Sequence, residues 1–360
     1  MSRGKKLSYG MAINEALHQI MEQDERVFVL GEDVAKMGGD FGITKGIWAK
    51  WPDRIKDTAL SESAILGLSC GAAVCGLKPV PEIMFADFLG VGFDQITNNA
   101  AKLNYMYQGK AHCGITVRAP QGGGIRCAYH HSACVESWFM NTPGLVIVCP
   151  TTPYEAKGLL ISAIKSDNPV LFLEHKALYN IKGEVPEEMY ELPLYEAEIE
   201  REGGDVTIVA TQTMLAKAHK AAEEMEKEGV SCEIIDLRTV FPYDKDTIQK
   251  SVAKTGRLVI AQEGVKCGGW AAEISAMINE DVFEYLRGPS HALLSGSGGL
   301  RHASAGRRGQ GHPRGYGILR GGYDNDYEIR YAEVRPLHGD RHHRRVARER
   351  GRLREEGRRP

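Results

Sequence analysis

The chain has 360 residues, 42% of them hydrophobic and 26% charged, with a formal net charge of -2. This is the composition of a soluble globular protein long enough for two domains, and its near-neutral balance gives no electrostatic reason to expect nucleic-acid or membrane partners. No stretch is apolar enough to span a bilayer, no secretory signal follows MSRGKKLSYG, and eight scattered cysteines without a C-x-x-C pair suit reduced thiols in a cytoplasmic protein.

Taken in order, Ser8 can cap a helix over 9–21 with Met11, Ala12, Ala16, Leu17 and Ile20 on one face. Residues 27–30 read as a buried strand ending in Gly31-Glu32-Asp33, Gly38-Gly39 marks a loop, and order returns over 41–48. Then comes DTALSESAILGLSCGAAVCGL, residues 57–77, in which Glu62 is the last charge before Lys78. A run so rich in Gly, Ala, Ser and Cys predicts a helix packed closely on other backbone. A carboxylate at its mouth is costly unless something needs it, although a first-turn acid favoured by the helix dipole is the plainer account. Residues 80–85 are strand-like, and 87–102 can be helical with Phe88, Phe93, Ile96 and Ala100 inward. Strands over 115–118, 145–148 and 170–173 follow, with a Gly122-Gly123-Gly124 loop and a helix over 154–165 whose start is bracketed by Pro150 and Pro153.

Residues 181–204 are acidic and carry Pro186 and Pro193, as an interdomain linker does. The alternation then resumes, with strands over 206–211, 232–237 and 258–262 and helices over 214–227, 244–254 and 271–278. Strands alternating with helices predict an α/β fold with doubly wound parallel sheets in two units, the second smaller.

Besides Glu62, the conspicuous polar cluster is Tyr129-His130-His131-Ser132, beyond the glycine loop. Adjacent histidines cannot face one metal from a regular element, so zinc is disfavoured. His130 reads as structural, whereas His131, on a loop, suits acid–base work because imidazole titrates near neutrality. There is no G-x-S-x-G elbow after a strand, no P-loop and no G-x-G-x-x-G after a strand, and the three glycines alone are a weak phosphate signal.

Gly31-Glu32-Asp33, the segment 57–62, Phe93-Asp94-Gln95-Ile96, 100–106, His131-Ser132, Pro143-Gly144-Leu145, 153–160, Asn168-Pro169-Val170, 235–239 and 255–259 occur in that order. Over roughly residues 6–289 they resemble the β subunit of the thiamine-diphosphate-dependent component of 2-oxo acid dehydrogenase complexes, a family that includes pyruvate, branched-chain and acetoin dehydrogenases. The resemblance implies a transketolase-like pyrimidine-binding domain over 1–180, a linker over 181–204 and a transketolase C-terminal-like domain over 205–289. It implies that Glu62 hydrogen-bonds the aminopyrimidine ring of thiamine diphosphate, that Leu60, Met84 and Phe88 line the pyrimidine pocket, and that His131 lies near the substrate and serves reductive acylation of a lipoyl group. Ala59 stands where many relatives have proline, and Ser166 replaces an expected aspartate beside Ala163 and Asn168 at a potassium site of some relatives, which leaves that site open. No GDG segment is present to hold magnesium. In the family the α subunit supplies it, so an α2β2 heterotetramer and a lipoyl-bearing acyltransferase are the implied partners. Glu174-His175-Lys176 and Gly183-Glu184-Val185-Pro186 resemble both acetoin-type and pyruvate-type chains. The rival readings are a self-sufficient transketolase-like enzyme and a catalytically lapsed scaffold subunit.

The resemblance stops at Gly288-Pro289. Lys266 is the last lysine, and six of the twelve histidines follow Pro289. Read one base forward with free choice of synonymous codons, Ser290 onward gives VTRCSPEVAVFATPALEDVV, the kind of ending a β subunit has, and Tyr331 onward gives MPKFGLSMETGTIVEWLVSEGDSV, similar to a lipoyl-domain opening. The expectation is a one-base frameshift near those codons, a second domain lacking its last strand, and a disordered, arginine- and glycine-rich tail over 290–360. The alternative is a natural basic tail for anionic partners.

Overall fold

The computed structural model describes residues 4–295, all within the compact unit Met1–Ser304. Strand β1 (Gly4–Ser8) runs into α1 (Tyr9–Gln23), where Ser8 Oγ accepts from Met11 N and satisfies one of the helix's orphan donors. There follow β2 (Val27–Gly31), α2 (Ile47–Lys50), β3 (Ile55–Asp57), α3 (Glu62–Val74), β4 (Lys78–Glu82), α4 (Ala101–Met106) and β5 (Thr116–Gln121). Next are α5 (Glu136–Phe139), β6 (Val146–Val148), α6 (Pro153–Lys165) and β7 (Val170–His175). The chain continues through β8 (Lys182–Pro186), β9 (Glu198–Arg201), β10 (Val206–Ala210), α7 (Thr213–Lys227), β11 (Cys232–Asp236) and β12 (Thr239–Phe241). It ends with α8 (Lys245–Thr255), β13 (Leu258–Glu263), α9 (Trp270–Asp281) and β14 (His291–Ser295).

The first sheet has seven strands in the order β12-β6-β7-β5-β4-β2-β3, all parallel except β12. Its central strands β5 and β7 are buried along their whole length, as a sheet covered on both faces requires. On one face α1 and α6 pack through Ile13, Ala16, Leu17, Leu159 and Ile164 onto Val29, Val80 and Phe172. On the other, α3 packs through Ile65, Leu66 and Cys70 onto Ile83, Val117 and Leu171. The same apolar cluster runs on through Leu237, Val240, Ile260 and Trp270, so the two α/β units share one core on that side. The second sheet is β14-β13-β10-β11-β9, parallel except β9.

Several expectations change in detail. Met11, read as inward, is 50% exposed, because Ile13 and Met21 complete the buried stripe of α1 instead. The predicted 87–102 helix is broken into a 3-10 turn over Ala86–Gly90 and a π-turn over Gln95–Ala100. Gly92 sits between them, where a Cβ would lie 2.3 Å from Leu66 Cδ1, so the chain approaches α3 too closely for a side chain. Phe93 is consequently 39% exposed rather than inward. Close packing of α3 holds on one face only: Ala64, Leu68, Gly71 and Val74 are exposed.

The segment read as a linker contributes to both halves. β8 pairs antiparallel with β1, and β9 joins the second sheet beside β11. In return β12, from the second half, closes the edge of the first sheet on β6. The described part of the second unit ends on β14, which lies parallel to β13 from Val259↔His291 to Glu263↔Ser295. The bare edge of β13 offers unpaired backbone groups, and a short segment without proline or glycine satisfies them. The remaining tail, residues 296–360, lies outside the described residues.

Candidate active site

In an open parallel sheet, ligands bind beyond the carboxyl ends of the strands, where loops diverge. Every site residue singled out in the sequence follows the carboxyl end of such a strand, on a loop, a short turn or a helix start. β2 ends at Gly31 before Glu32; β3 ends at Asp57 before Leu60 and Glu62; β4 ends at Glu82 before Met84, Phe85 and Phe88; β5 ends at Gln121 before the glycine loop and His131; β7 ends at His175 before Lys176.

Glu62 opens α3, half-buried, with Ser61 as a cap residue whose side chain makes no capping bond. Its charge reaches Glu32, which is 7% exposed: burial, then the Glu62, Asp33 and Asp40 carboxylates, push the Glu32 carboxyl up. Glu32 Oε1 is buried without a hydrogen-bond partner, an open acceptor at the carboxyl edge. Leu60 is 82% exposed, and Met84 and Phe88 are half-buried. The His131 ring stands edge-on to Phe85, centroids 4.1 Å apart, and to Phe88 at 5.6 Å. Its Nδ1 is buried and also without a partner. His130 is exposed and rests against Tyr129 at 3.8 Å, as befits a surface residue. The structure thus joins Phe88 to His131 and Glu62 to Glu32.

Sequence reasoning missed the frame that holds the His131 loop. Glu263, at the end of β13, accepts from Gly123 N at 2.8 Å, from Thr213 Oγ1 at 2.5 Å and from His175 Nε2 at 2.9 Å. His175 Nδ1 accepts from Ala177 N, which leaves Nε2 as the donor. Burial opposes ionisation of Glu263, but His175, Thr213 and Gly123 outweigh it and hold the carboxyl well below the usual range. Gly122, at φ +84°, lies where a Cβ would fall 2.1 Å from His175 Nε2, so the loop passes directly over that ring. Glu136, below the loop, takes a 2.6 Å bond from Gln121 Nε2, and burial raises its carboxyl to about 7. The only local sign of this frame was the triple glycine.

A half-buried carboxylate beside an open buried acceptor, with Leu60 next to it and Met84 and Phe88 beyond the end of β4, suits a flat heterocycle bearing an amino group. Among the described residues no three His, Cys, Asp or Glu side chains converge as a metal-binding set. The turn after α6, left open for potassium, is held by a lysine. Lys78 Nζ donates to the Ser166 carbonyl at 2.6 Å and the Lys165 carbonyl at 3.2 Å and pairs with Asp167 at 3.1 Å.

The transketolase pyrimidine-binding domain family matches residues 5–182, and the transketolase C-terminal domain family matches 195–307. The chain is 48% identical over 293 residues to the acetoin:2,6-dichlorophenolindophenol oxidoreductase β subunit of Cupriavidus necator, covering 79% of this chain and 87% of that protein. The chain belongs to the β subunits of the 2-oxo acid and acetoin dehydrogenases. The 2-oxoisovalerate dehydrogenase β subunit of Bacillus subtilis is 46% identical, covering 80% of this chain and 88% of its own length. The pyruvate dehydrogenase E1 β subunit of Acholeplasma laidlawii is 45% identical, covering 76% and 85%. Among solved structures, a split-gene transketolase described as an inactive β4 tetramer superposes with a TM-score of 0.65 at 22% identity, over 80% of this chain and 89% of that one. That likeness supports the fold. The C-terminal family match runs past Pro289, where the motif resemblance ended, and takes in β14.

Proposed function

We propose that this chain is the β subunit of a thiamine-diphosphate-dependent 2-oxo acid dehydrogenase of pyruvate or acetoin type. It decarboxylates or cleaves its substrate and passes the acyl group to a lipoyl-bearing acyltransferase. The observation that carries the reading is Glu62, held half-buried at the start of α3 within the field of an acceptor, Glu32, that has no partner. A carboxylate so placed presents one oxygen to an aminopyrimidine N–H, while Leu60, Met84 and Phe88 give the ring apolar walls.

Thiamine diphosphate, when bound, supplies the electron sink needed to break a bond next to a carbonyl. This chain's own part is positioning and proton handling. Glu62, at the start of α3, would hydrogen-bond the pyrimidine ring. His131, braced edge-on by Phe85 and Phe88, keeps Nδ1 free of protein partners and so able to give or take a proton at the substrate or the lipoyl thiol.

The diphosphate and its magnesium fall to an α subunit, in an α2β2 assembly. Exposed Leu68, Val74, Tyr105, Met106, Tyr107 and Trp138 support a partner surface of this kind, since monomers seldom leave so many large apolar groups in water. A cytoplasmic location belongs to the same reading, supported by eight free cysteines. So does a frameshift near codons 289–290, supported by the two family-like segments that appear one base forward; resequencing across codons 287–291 tests it.

Co-expression with an α subunit tests the whole. Turnover that requires thiamine diphosphate and both chains is the expected result. Turnover by this chain alone points to a self-sufficient transketolase-like enzyme, and cofactor binding without turnover in the mixture points to a scaffold.

A further inference from the structure

Glu263 ends β13, in the second α/β unit, yet its carboxylate reaches the loop of the first unit that carries His131. One oxygen accepts from Gly123 N at 2.8 Å, and the other accepts from His175 Nε2 at 2.9 Å and Thr213 Oγ1 at 2.5 Å. All three partners donate, so both oxygens must accept, and a glutamine in the same place would turn its NH2 group against at least one of them. Thr213 is also the first residue of the 15-residue helix α7, whose N-terminal end favours a negative charge.

The loop needs such an anchor. Between β5 and α5, Gly122, Gly124, Arg126 and Ala128 all have φ between +60° and +92°. Arg126 and Ala128 carry a Cβ, and side chains adopt that backbone only where the surroundings dictate it. Packing does little of this, because residues 124–130 are exposed apart from half-buried Cys127. Hydrogen bonds do more: Gly122 N donates to the Ala133 carbonyl at 3.0 Å, Ser132 Oγ donates to the Ala128 carbonyl at 2.6 Å, and Gly123 N is tied to Glu263. We propose that Glu263 is a positioning residue for His131: by holding Gly123 it sets where the imidazole stands during acyl transfer to the lipoyl group. The inference rests on the function proposed above and adds to it a residue of the second unit on which one half of the reaction depends. In that half the lipoyl S–S bond breaks. One sulfur bonds the acyl carbon, which is oxidised by two electrons and loses its hydroxyl proton. The other sulfur is reduced and takes up one proton, which His131 Nδ1 is placed to deliver. A reacting group displaced by about 1 Å loses about 10²-fold in rate, so the loop's anchor matters as much as the imidazole.

The test uses the complex reassembled with its α subunit and a lipoyl domain, comparing wild type, Glu263→Gln and Thr213→Val. Hydrogen exchange read by mass spectrometry follows the loop itself, and its amides are expected to exchange about tenfold faster or more in Glu263→Gln. Two assays on the same substrate separate the halves of the reaction: acylation of the lipoyl domain, and turnover with 2,6-dichlorophenolindophenol, which takes the two electrons directly and needs no lipoyl group. Glu263→Gln should lower kcat for lipoyl acylation about tenfold or more beyond any loss in the dye assay, with the KM for the lipoyl domain within about twofold. Thr213→Val removes one donor and keeps the carboxylate, so it should shift the same quantities less, and it carries the test if Glu263→Gln does not assemble. Equal losses in both assays overturn the proposal in favour of a residue that only joins the two units. Unchanged exchange of the loop overturns it outright. A loss confined to the KM for the lipoyl domain overturns it in favour of a docking contact. If wild type turns over in neither assay, the function proposed above fails, and the exchange measurement then decides separately whether Glu263 holds the loop.

Discussion

Two groups of polar side chains belong to the first sheet, one on β4, β5 and β7 and one beyond the carboxyl ends of β2, β5 and β7, and they differ in one respect. Glu82, Arg118 and Glu174, inside the sheet, satisfy one another. Arg118 Nε and Nη2 reach both oxygens of Glu174 at 2.6 and 3.0 Å, Nη1 reaches Glu82 at 2.6 Å, and Tyr179 Oη donates to Glu174 at 2.8 Å. Beyond the ends of β2, β5 and β7, Glu32, His131 and Lys176 each keep a buried polar atom without a partner. Buried polar atoms are common to both groups. What separates architecture from a site is whether the charges are already spoken for. A closed network fixes strand spacing, whereas an open one is stabilised only by something that arrives later.

The largest effect should come from Glu62, the carboxylate beside the open Glu32 acceptor. In the complex with its α subunit, Glu62→Gln is expected to lower turnover about 10²- to 10⁴-fold, the range for losing a positioned proton-transfer group, with circular dichroism and melting temperature unchanged. A large loss of stability instead would move Glu62 into the structural class.

The closed group should respond the opposite way. Arg118→Met leaves Glu82 and Glu174 buried without their cation, and breaking such a network costs about 3–5 kcal/mol, read as a lower midpoint in urea unfolding. A triple replacement of Arg118, Glu82 and Glu174 by apolar residues of similar volume should recover much of that loss. If Arg118→Met folds normally but loses activity, the distinction fails.

Glu136 sharpens the comparison because it is intermediate: buried, with one strong donor, and raised by burial to about 7 against 4.5. The folded state holds the proton more tightly than the unfolded one. Stability linked to this group is therefore complete below about pH 4.5 and falls as pH rises through about 7, by about 3 kcal/mol in all. Glu136→Gln should flatten that slope, so that urea midpoints at about pH 5 and about pH 8 differ less than in wild type.

The smallest effect belongs to a closed group at a helix start. At the start of α6, Thr152 Oγ1 accepts from Glu155 N, and Glu155 Oε2 accepts from Thr151 N and Thr152 N. Thr152→Ala should cost about 1 kcal/mol. Glu155→Ala should cost more, because Glu155 Oε1 also takes Arg238 Nε from the second unit at 2.7 Å, and thermal unfolding of the two variants ranks them.

The alternation of strands and helices, the Ser8 cap and the start of α3 at Glu62 were legible in the sequence, because each is written within one or two turns of chain. Period, caps and turn residues are local, and backbone sterics read them the same way in any fold. Glu62 and His131 could be named from their motifs. The rest lay in contacts between distant segments: β12 crossing to the first sheet, Lys78 reaching the carbonyls after α6, and Glu263 holding His175 and Gly123 across 88 and 140 residues. No periodicity encodes such pairings. Nor does any local pattern say that Lys176, one charge among many in the sequence, would end buried and unpaired. That depended on which side chains the packed sheets brought around it, since an ammonium's partners are set by where the fold excludes water.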